Sequence, residues 1–144
     1  MINFGEKEFI LKLIDALNDD KIFELQTRWF DGSILLEAGQ SQCWLKVYRG
    51  KVIDSLNYMP ILGYTCKISG PPSAWQMLLD GTRCFRDLTL PGKRHFEDDP
   101  SLSQLGVMTR DIVIEGNMME ANRIIGGIYA LSNCIVKVLK NKGG

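Results

Sequence analysis

The fold of this chain is decided by Asp111-Ile112-Val113-Ile114-Glu115-Gly116-Asn117 and by the apolar run 118–139 that follows. The first seven residues alternate polar and apolar side chains, with Val113 out of phase, and end in Gly-Asn. This pattern predicts a short strand that closes in a turn. The run behind it repeats apolar residues at helical spacing, which predicts one long helix with a buried face. The repeating positions are Ala121, Ile124, Ile125, Ile128, Leu131, Ile135, Val138 and Leu139.

The middle of this helix, 124–136, carries no charged side chain on any side. A helix on the surface of a small protein normally has a charged outer face. We therefore expect more than one face of this helix to be buried. The sequence leaves three ways open: a protein core, an interface with a second subunit, or the wall of a cavity that holds an apolar molecule.

Composition indicates a globular chain without a strong charge bias. Its 144 residues are 45% hydrophobic, and 17 basic residues balance 17 acidic ones. The length predicts a single domain, 1–144. The neutral balance argues against a nucleic-acid partner. The basic cluster 93–95 is followed at once by the acidic residues 97–99.

The cysteine pattern predicts reduced thiols rather than a metal site or a disulfide framework. No two of Cys43, Cys66, Cys84 and Cys134 form a C-x-x-C pair, and zinc-ligand spacing is absent. Three of them stand among apolar residues, which is typical of buried free cysteine. The start of the chain lacks the apolar core of a signal peptide, and no stretch reaches the ~18 apolar residues of a membrane span. These features favour a cytoplasmic location and no metal.

The first half of the chain predicts a helix followed by an antiparallel meander. Residues 5–20 have helical periodicity, and 22–30 is ambiguous between a helical turn and a strand beginning at Gln26. Asp31-Gly32 is typical of a hairpin turn. The connections between the next strands are too short for a parallel crossover, so those strands are expected to be antiparallel neighbours. The predicted strands are 33–37, 42–49 and 51–58.

The second half predicts another strand, a helix and an irregular segment. Residues 64–69 alternate strictly, with one dry and one wet face. Proline and glycine then bracket a helix at 74–80 that stops at Gly81. Within the poorly patterned segment 82–110, a polar loop is expected at 93–100 and a short helical turn at 101–105. The fold class is therefore α+β, with helices packed on one face of a single, mostly antiparallel sheet.

The sequence offers little catalytic chemistry. His95 is the only histidine, and Glu97 or Asp98 could pair with it, but the charged surroundings offer no desolvated pocket. Gly126-Gly127 lies within a helical pattern and is not a phosphate-binding loop; it favours close approach of another backbone or a ligand. We expect no enzyme activity and no cofactor. A small enzyme that uses His95 is the weakest alternative.

The order of elements resembles the sterol carrier protein type 2 family of lipid-binding domains. The similarity lies in the hairpin series 31–52, in the strand 64–69 leading to a helix that ends at Leu78-Leu79-Asp80-Gly81, and in the strand 112–117 leading straight into a helix. It covers about 25–81 and 111–131. The chain departs from the family in a longer, more polar segment at 82–110 and in lacking a peroxisomal C-terminal signal.

The resemblance implies a five-stranded sheet covered by helices, with a hydrophobic tunnel between them. It implies non-catalytic binding or transfer of a fatty acid, fatty acyl-CoA, sterol or similar molecule, and it leaves transient membrane contact open. The alternative is a dimeric assembly module that buries the apolar face of the last helix. By this resemblance the ligand-binding residues are Trp75, Leu78, Leu79, Ile124, Ile125, Ile128 and Tyr129.

Overall fold

A computed structural model describes residues 2–89 and 112–142. Five strands and six helices lie in these two ranges. The strands are β1 Asp31–Ala38, β2 Ser41–Tyr48, β3 Lys51–Leu56, β4 Cys66–Gly70 and β5 Val113–Gly116. The helices are α1 Lys7–Asn18, α2 Lys21–Thr27, α3 Pro72–Asp80, α4 Phe85–Leu88, α5 Met118–Arg123 and α6 Ile125–Lys142.

The strands form one sheet in the order β3-β2-β1-β4-β5. Short turns join β1, β2 and β3 as antiparallel neighbours, and β4 pairs antiparallel with β5. The exception is β4, which lies beside β1 and runs parallel to it. The expected α+β fold with a mostly antiparallel five-stranded sheet is therefore confirmed. The predicted helical turn at 101–105 and loop at 93–100 lie outside the described residues.

The two faces of the sheet have different surroundings because side chains alternate along each strand. The inner face packs against the helices and contributes to one continuous core. Its residues are Ile34, Leu36, Ala38, Cys43, Leu45, Val47, Val52, Cys66 and Ile68. On the outer face the ladder is largely polar: Lys67 forms an ion pair with Glu115, and the Gln42 amide donates to Glu37.

The helix α2 extends to Thr27 and residues 28–30 connect it to β1, so the strand that the sequence left open from Gln26 is wrong. Asp20 caps α2 by accepting a hydrogen bond from the backbone N–H of Phe23 at 2.8 Å. Phe23 and Thr27 face the core from this helix. The predicted turn at Asp31-Gly32 is also wrong, since these residues begin β1 and pair with Tyr48 and Val47. Burial of one helical face decided the structure of this ambiguous segment.

The predicted long helix is two helices that meet at Ile124. This residue leaves helical geometry, with φ −108° and ψ 21°, and α6 begins immediately after it. Asn117 starts α5 by accepting from the backbone N–H of Glu120. Gly126 and Gly127 lie in the first turn of α6, directly after Ile125, and glycine favours the helical conformation least among residues other than proline. The helix therefore yields where its sequence is weakest.

The charge-free stretch of α6 lies in the core of the same chain. Ile128, Leu131 and Ile135 are fully buried. The sheet lies on one side of this helical layer, and α1 and α2 pack directly against α6. These three residues are covered within the chain and need no second subunit.

Gly126 and Gly127 allow α2 to approach α6 closely, and the groups that approach are side chains rather than the backbone or ligand that the sequence predicted. A Cβ on Gly127 would lie 2.8 Å from Cγ2 of Thr27. Thr27 cannot easily move away, because it is fully buried and its hydroxyl donates to the Phe23 carbonyl at 2.7 Å. A Cβ on Gly126 would instead meet the flexible end of the Gln26 side chain.

The Gly-Asn end of β5 joins three parts of the fold at Thr65. The Thr65 carbonyl accepts from Asn117 N–H at 2.8 Å, while Thr65 N–H donates to the Ser33 carbonyl at 3.1 Å. Gly116 has φ +106°, and a Cβ there would lie 2.5 Å from the Thr65 oxygen. Only glycine fits this crossing without strain. The start of β1, the start of β4 and the end of β5 are thus fixed together.

The two adjacent glycines of α6 give a matched test of this packing. Gly127→Ala should lower the free energy of unfolding relative to Gly126→Ala by about 1–3 kcal/mol, the usual cost of overpacking. The gain in helix propensity is the same in both variants and cancels. Urea denaturation of the two variants measures the difference. Equal stabilities would show that Gly127 is not a close-contact position.

Candidate functional site

The seven residues predicted to bind a ligand separate into buried and partly exposed groups. Trp75 is buried, its ring packs edge-on against Phe4 with centroids 4.9 Å apart, and its indole N–H donates to the Glu37 carbonyl at 3.0 Å. These contacts fix α3 to the end of β1. The described contacts of Trp75 are therefore those of a core residue that positions α3.

Partly exposed apolar side chains stand on α3 and on the first turns of α6, two helices that contact each other. The side chains are those of Leu78, Leu79, Ile125 and Tyr129, none of which is fully buried. The ring of Tyr129 is edge-on to Phe85 of α4, with centroids 5.8 Å apart. We call Leu78, Leu79, Ile125 and Tyr129 the α3–α6 surface. It is the part of the predicted set that a bound molecule could reach without displacing the core.

Ile124 and Ile128 lie deeper than the α3–α6 surface. Ile128 is fully buried, and Ile124 is nearly so. Ile124 also lines a cleft of about 190 Å³, together with Gln26, Trp29, Phe30, Glu120 and Arg123. This volume is below the ~300–1,000 Å³ typical of ligand pockets. Ile124 is the member of the predicted set that lines this cleft.

Two larger depressions lie side by side between α1 and α6. One has a volume of about 370 Å³ and is lined by Asp15, Ala16, Asp19, Asp20, Asn133, Cys134 and Lys137. The other, of about 380 Å³, shares Asp15, Ala16 and Lys137 with it. Their walls include several charged side chains, whereas small-molecule pockets are lined mainly by apolar groups. These depressions do not match the apolar site that the resemblance implied.

The cysteines that the sequence placed in the core are buried and free. Burial raises the pKa of Cys43 to about 12 and that of Cys66 to about 11. Burial, with the negative charge of Asp20, also raises the pKa of Cys134 to about 12, and its thiol lies 3.5 Å from an Asp20 oxygen. Each of these groups is a neutral thiol at physiological pH. Cys84, in contrast, is exposed.

Other candidate chemistry receives no structural support. His95 and its acidic neighbours lie outside the described residues. Within 2–89 and 112–142, no three His, Cys, Asp or Glu side chains form a group that could hold a metal ion. None of the helices in these ranges is both long enough and apolar enough to cross a membrane.

Phe85 is the residue of this region that sequence reasoning missed. It lies in the segment 82–110, which shows no regular apolar period. Phe85 stands between Cys84 and the charged Arg86, so its neighbours give no apolar pattern. Its large aromatic side chain was the only sign in the sequence that it would be buried. One short helix, α4, was enough to bring it against Tyr129.

No protein-family model matches this sequence, and no curated protein matches it. Solved structures do match. The crystal structure of sterol carrier protein 2 has a TM-score of 0.60 at 11% identity, over 92% of this chain and 97% of that one. The solution structure of a conserved hypothetical protein from Thermus thermophilus, described as a candidate sterol carrier protein, has a TM-score of 0.58 at 11% identity. That match covers 96% of this chain and 91% of the other.

These matches define the class of fold. The chain has the α+β architecture of sterol carrier protein 2, with a five-stranded sheet and helices packed on it. The resemblance read from the sequence is thereby confirmed at the level of the fold. At 11% identity the likeness extends to architecture and leaves the ligand-binding residues as a prediction.

The burial of three thiols predicts which cysteine reacts. At pH 8 we expect a disulfide reagent such as Ellman's reagent to modify Cys84 alone, because the thiolate is the reactive form and the other pKa values lie near 11–12. Cys84→Ser should abolish rapid labelling of the native protein. After denaturation the wild type should give four reactive thiols and Cys84→Ser three, because all four cysteines are free. Rapid labelling of native Cys84→Ser would contradict this burial.

Proposed function

We propose that this protein binds and carries a hydrophobic small molecule or lipid, such as a fatty acid, a fatty acyl-CoA or a sterol, without catalysing a reaction on it. The observation that carries the proposal is the match to sterol carrier protein 2 over 97% of that chain. A cytoplasmic location and an apolar tunnel between helices and sheet are parts of the same proposal.

The α3–α6 surface supports this function. Its side chains are apolar and only partly covered, and they stand on helices whose positions are fixed by core contacts. Trp75 ties α3 to β1, and α2 holds α6 through Gly127. A rigid apolar wall loses little conformational entropy when a ligand binds, so more of the interaction energy appears as affinity.

Binding would be driven by desolvation of the ligand. Burial of apolar area is worth roughly 25 cal/mol per Å², so an acyl chain gains several kcal/mol without a specific polar contact. The aromatic pair of Tyr129 and Phe85 stands at the edge of this wall, and the phenol can remain hydrated while its ring contacts the ligand. Such a site selects for length and shape more than for a particular headgroup.

Two leucines allow the location of the site to be tested. Leu79→Gln places an amide on the α3–α6 surface, and we expect a fluorescent fatty acid to bind roughly 10- to 100-fold more weakly, because the amide loses water without gaining a partner. Leu11→Gln changes an exposed leucine of α1 and should leave the titration unchanged. If both variants bind like the wild type, the assigned wall is wrong.

Native mass spectrometry of freshly purified wild-type protein tests the carrier proposal itself. A co-purified apolar molecule, released by organic solvent, is the expected result. An empty protein that also shows no saturable binding of the fluorescent fatty acid would overturn the proposed function, whichever residues line the site.

A further inference from the structure

The connection between β3 and β4 crosses the outer face of the sheet and carries its most exposed apolar side chains. Since β3 lies two strands away from β1, this connection must pass β2 and β1 to reach β4. At its apex Ile61 and Leu62 are 104% and 99% exposed, as much as in an isolated peptide. Single exposed apolar residues are ordinary, but two adjacent ones at a turn require an explanation.

This apex is held in a fixed conformation. Gly63 N–H donates to the Pro60 carbonyl at 2.9 Å, which closes a four-residue turn with Ile61 and Leu62 at its two central positions. The Trp44 indole N–H then donates to the Gly63 carbonyl at 3.2 Å and ties the turn to β2. The two aliphatic side chains are therefore presented on an anchored support.

We propose that this turn inserts into the surface of a lipid bilayer and docks the protein on membranes. We call residues 58–64 the membrane finger. The inference goes beyond the proposed function, because the finger lies across the sheet from the α3–α6 surface and needs no bound ligand. The convex shape of the tip favours a lipid bilayer as the partner, because a bilayer is fluid and can surround both side chains. A protein partner would instead need a complementary pocket for them.

The residues beside the tip have the chemistry of a membrane interface. Tyr58 and Tyr64 flank it, and tyrosine prefers the level of lipid headgroups, where its ring is apolar and its hydroxyl is hydrated. From Asn57 to Cys66 the chain carries no charged side chain. Insertion to this depth therefore buries no charge.

The charges next to the finger are balanced. Lys67 lies 5.8 Å from the ring centroid of Tyr64 and 3.5 Å from a carboxylate oxygen of Glu115. Since this lysine is already paired, docking should depend on apolar burial rather than on anionic lipids. Vesicles of pure phosphatidylcholine should bind nearly as well as vesicles that contain phosphatidylserine, and added salt should change binding little.

Co-sedimentation with phosphatidylcholine vesicles tests the proposal. The wild type should partition onto the vesicles, and the double variant Ile61→Asp/Leu62→Asp should lose at least about tenfold in the partition coefficient, because two apolar side chains are replaced by charges. Leu25→Asp, which changes an exposed leucine of α2, is the matched control and should bind like the wild type. Thermal unfolding of each variant checks that the fold is intact.

A fluorescent label reports insertion without relying on loss of binding. In a Cys84→Ser background, a nitrobenzoxadiazole dye on Leu62→Cys should shift to the blue and brighten when vesicles are added. The same dye on Leu25→Cys should not. The other three cysteines are buried and should stay unlabelled.

The membrane finger would be overturned by no partition of the wild type, unchanged partition of the double variant, equal loss in Leu25→Asp, or no dye response at position 62. Binding that requires phosphatidylserine and disappears in salt would likewise overturn it in favour of a charged surface. The fluorescent fatty acid titration remains independent of these outcomes, because the double variant should bind the fatty acid like the wild type.

Discussion

The close approach of α2 to α6 is the contact on which the rest of this structure depends. Without a side chain on Gly127, the buried γ-methyl of Thr27 lies directly against the α6 backbone. This contact lets α2 cover a helix whose middle carries no charge on any side. A larger residue would separate the helices, and tightly packed cores accommodate such separation poorly.

The packing of α6 also determines which of its apolar side chains remain partly exposed. Whereas α1 and α2 cover one side of α6, its first turns carry the partly covered Ile125 and the exposed Tyr129 on a helix that also contacts α3. There Tyr129 meets Phe85. The proposed wall therefore consists of apolar side chains that stay partly exposed after the core has packed.

The two faces of the sheet contact different parts of the protein. The inner face organises the helices and the proposed site, while the outer face is a polar ladder crossed by one long connection. That connection exists because β3 lies beside β2 while β4 lies on the far side of β1, so the chain must cross β2 and β1 before β4 can begin. Topology thus places an apolar turn at the face opposite the helices.

The sequence by itself determined the local elements. Alternation in 64–69 and helical spacing in 5–20 are set by short-range geometry, so β4 and α1 are found where their patterns predicted them. The Pro-to-Gly bracket around α3 likewise carried its own start and stop signals. The fold class followed from the order of these elements, and the structural matches agree with it.

Only the tertiary structure decided the rest. The parallel placement of β4 beside β1, the helical state of 22–27 and the contact of Phe85 with Tyr129 each depend on residues far apart in the chain. The burial of the charge-free helix also depends on distant residues. Its periodicity predicts that an apolar surface must be covered, but shape and close packing between distant segments determine which element covers it.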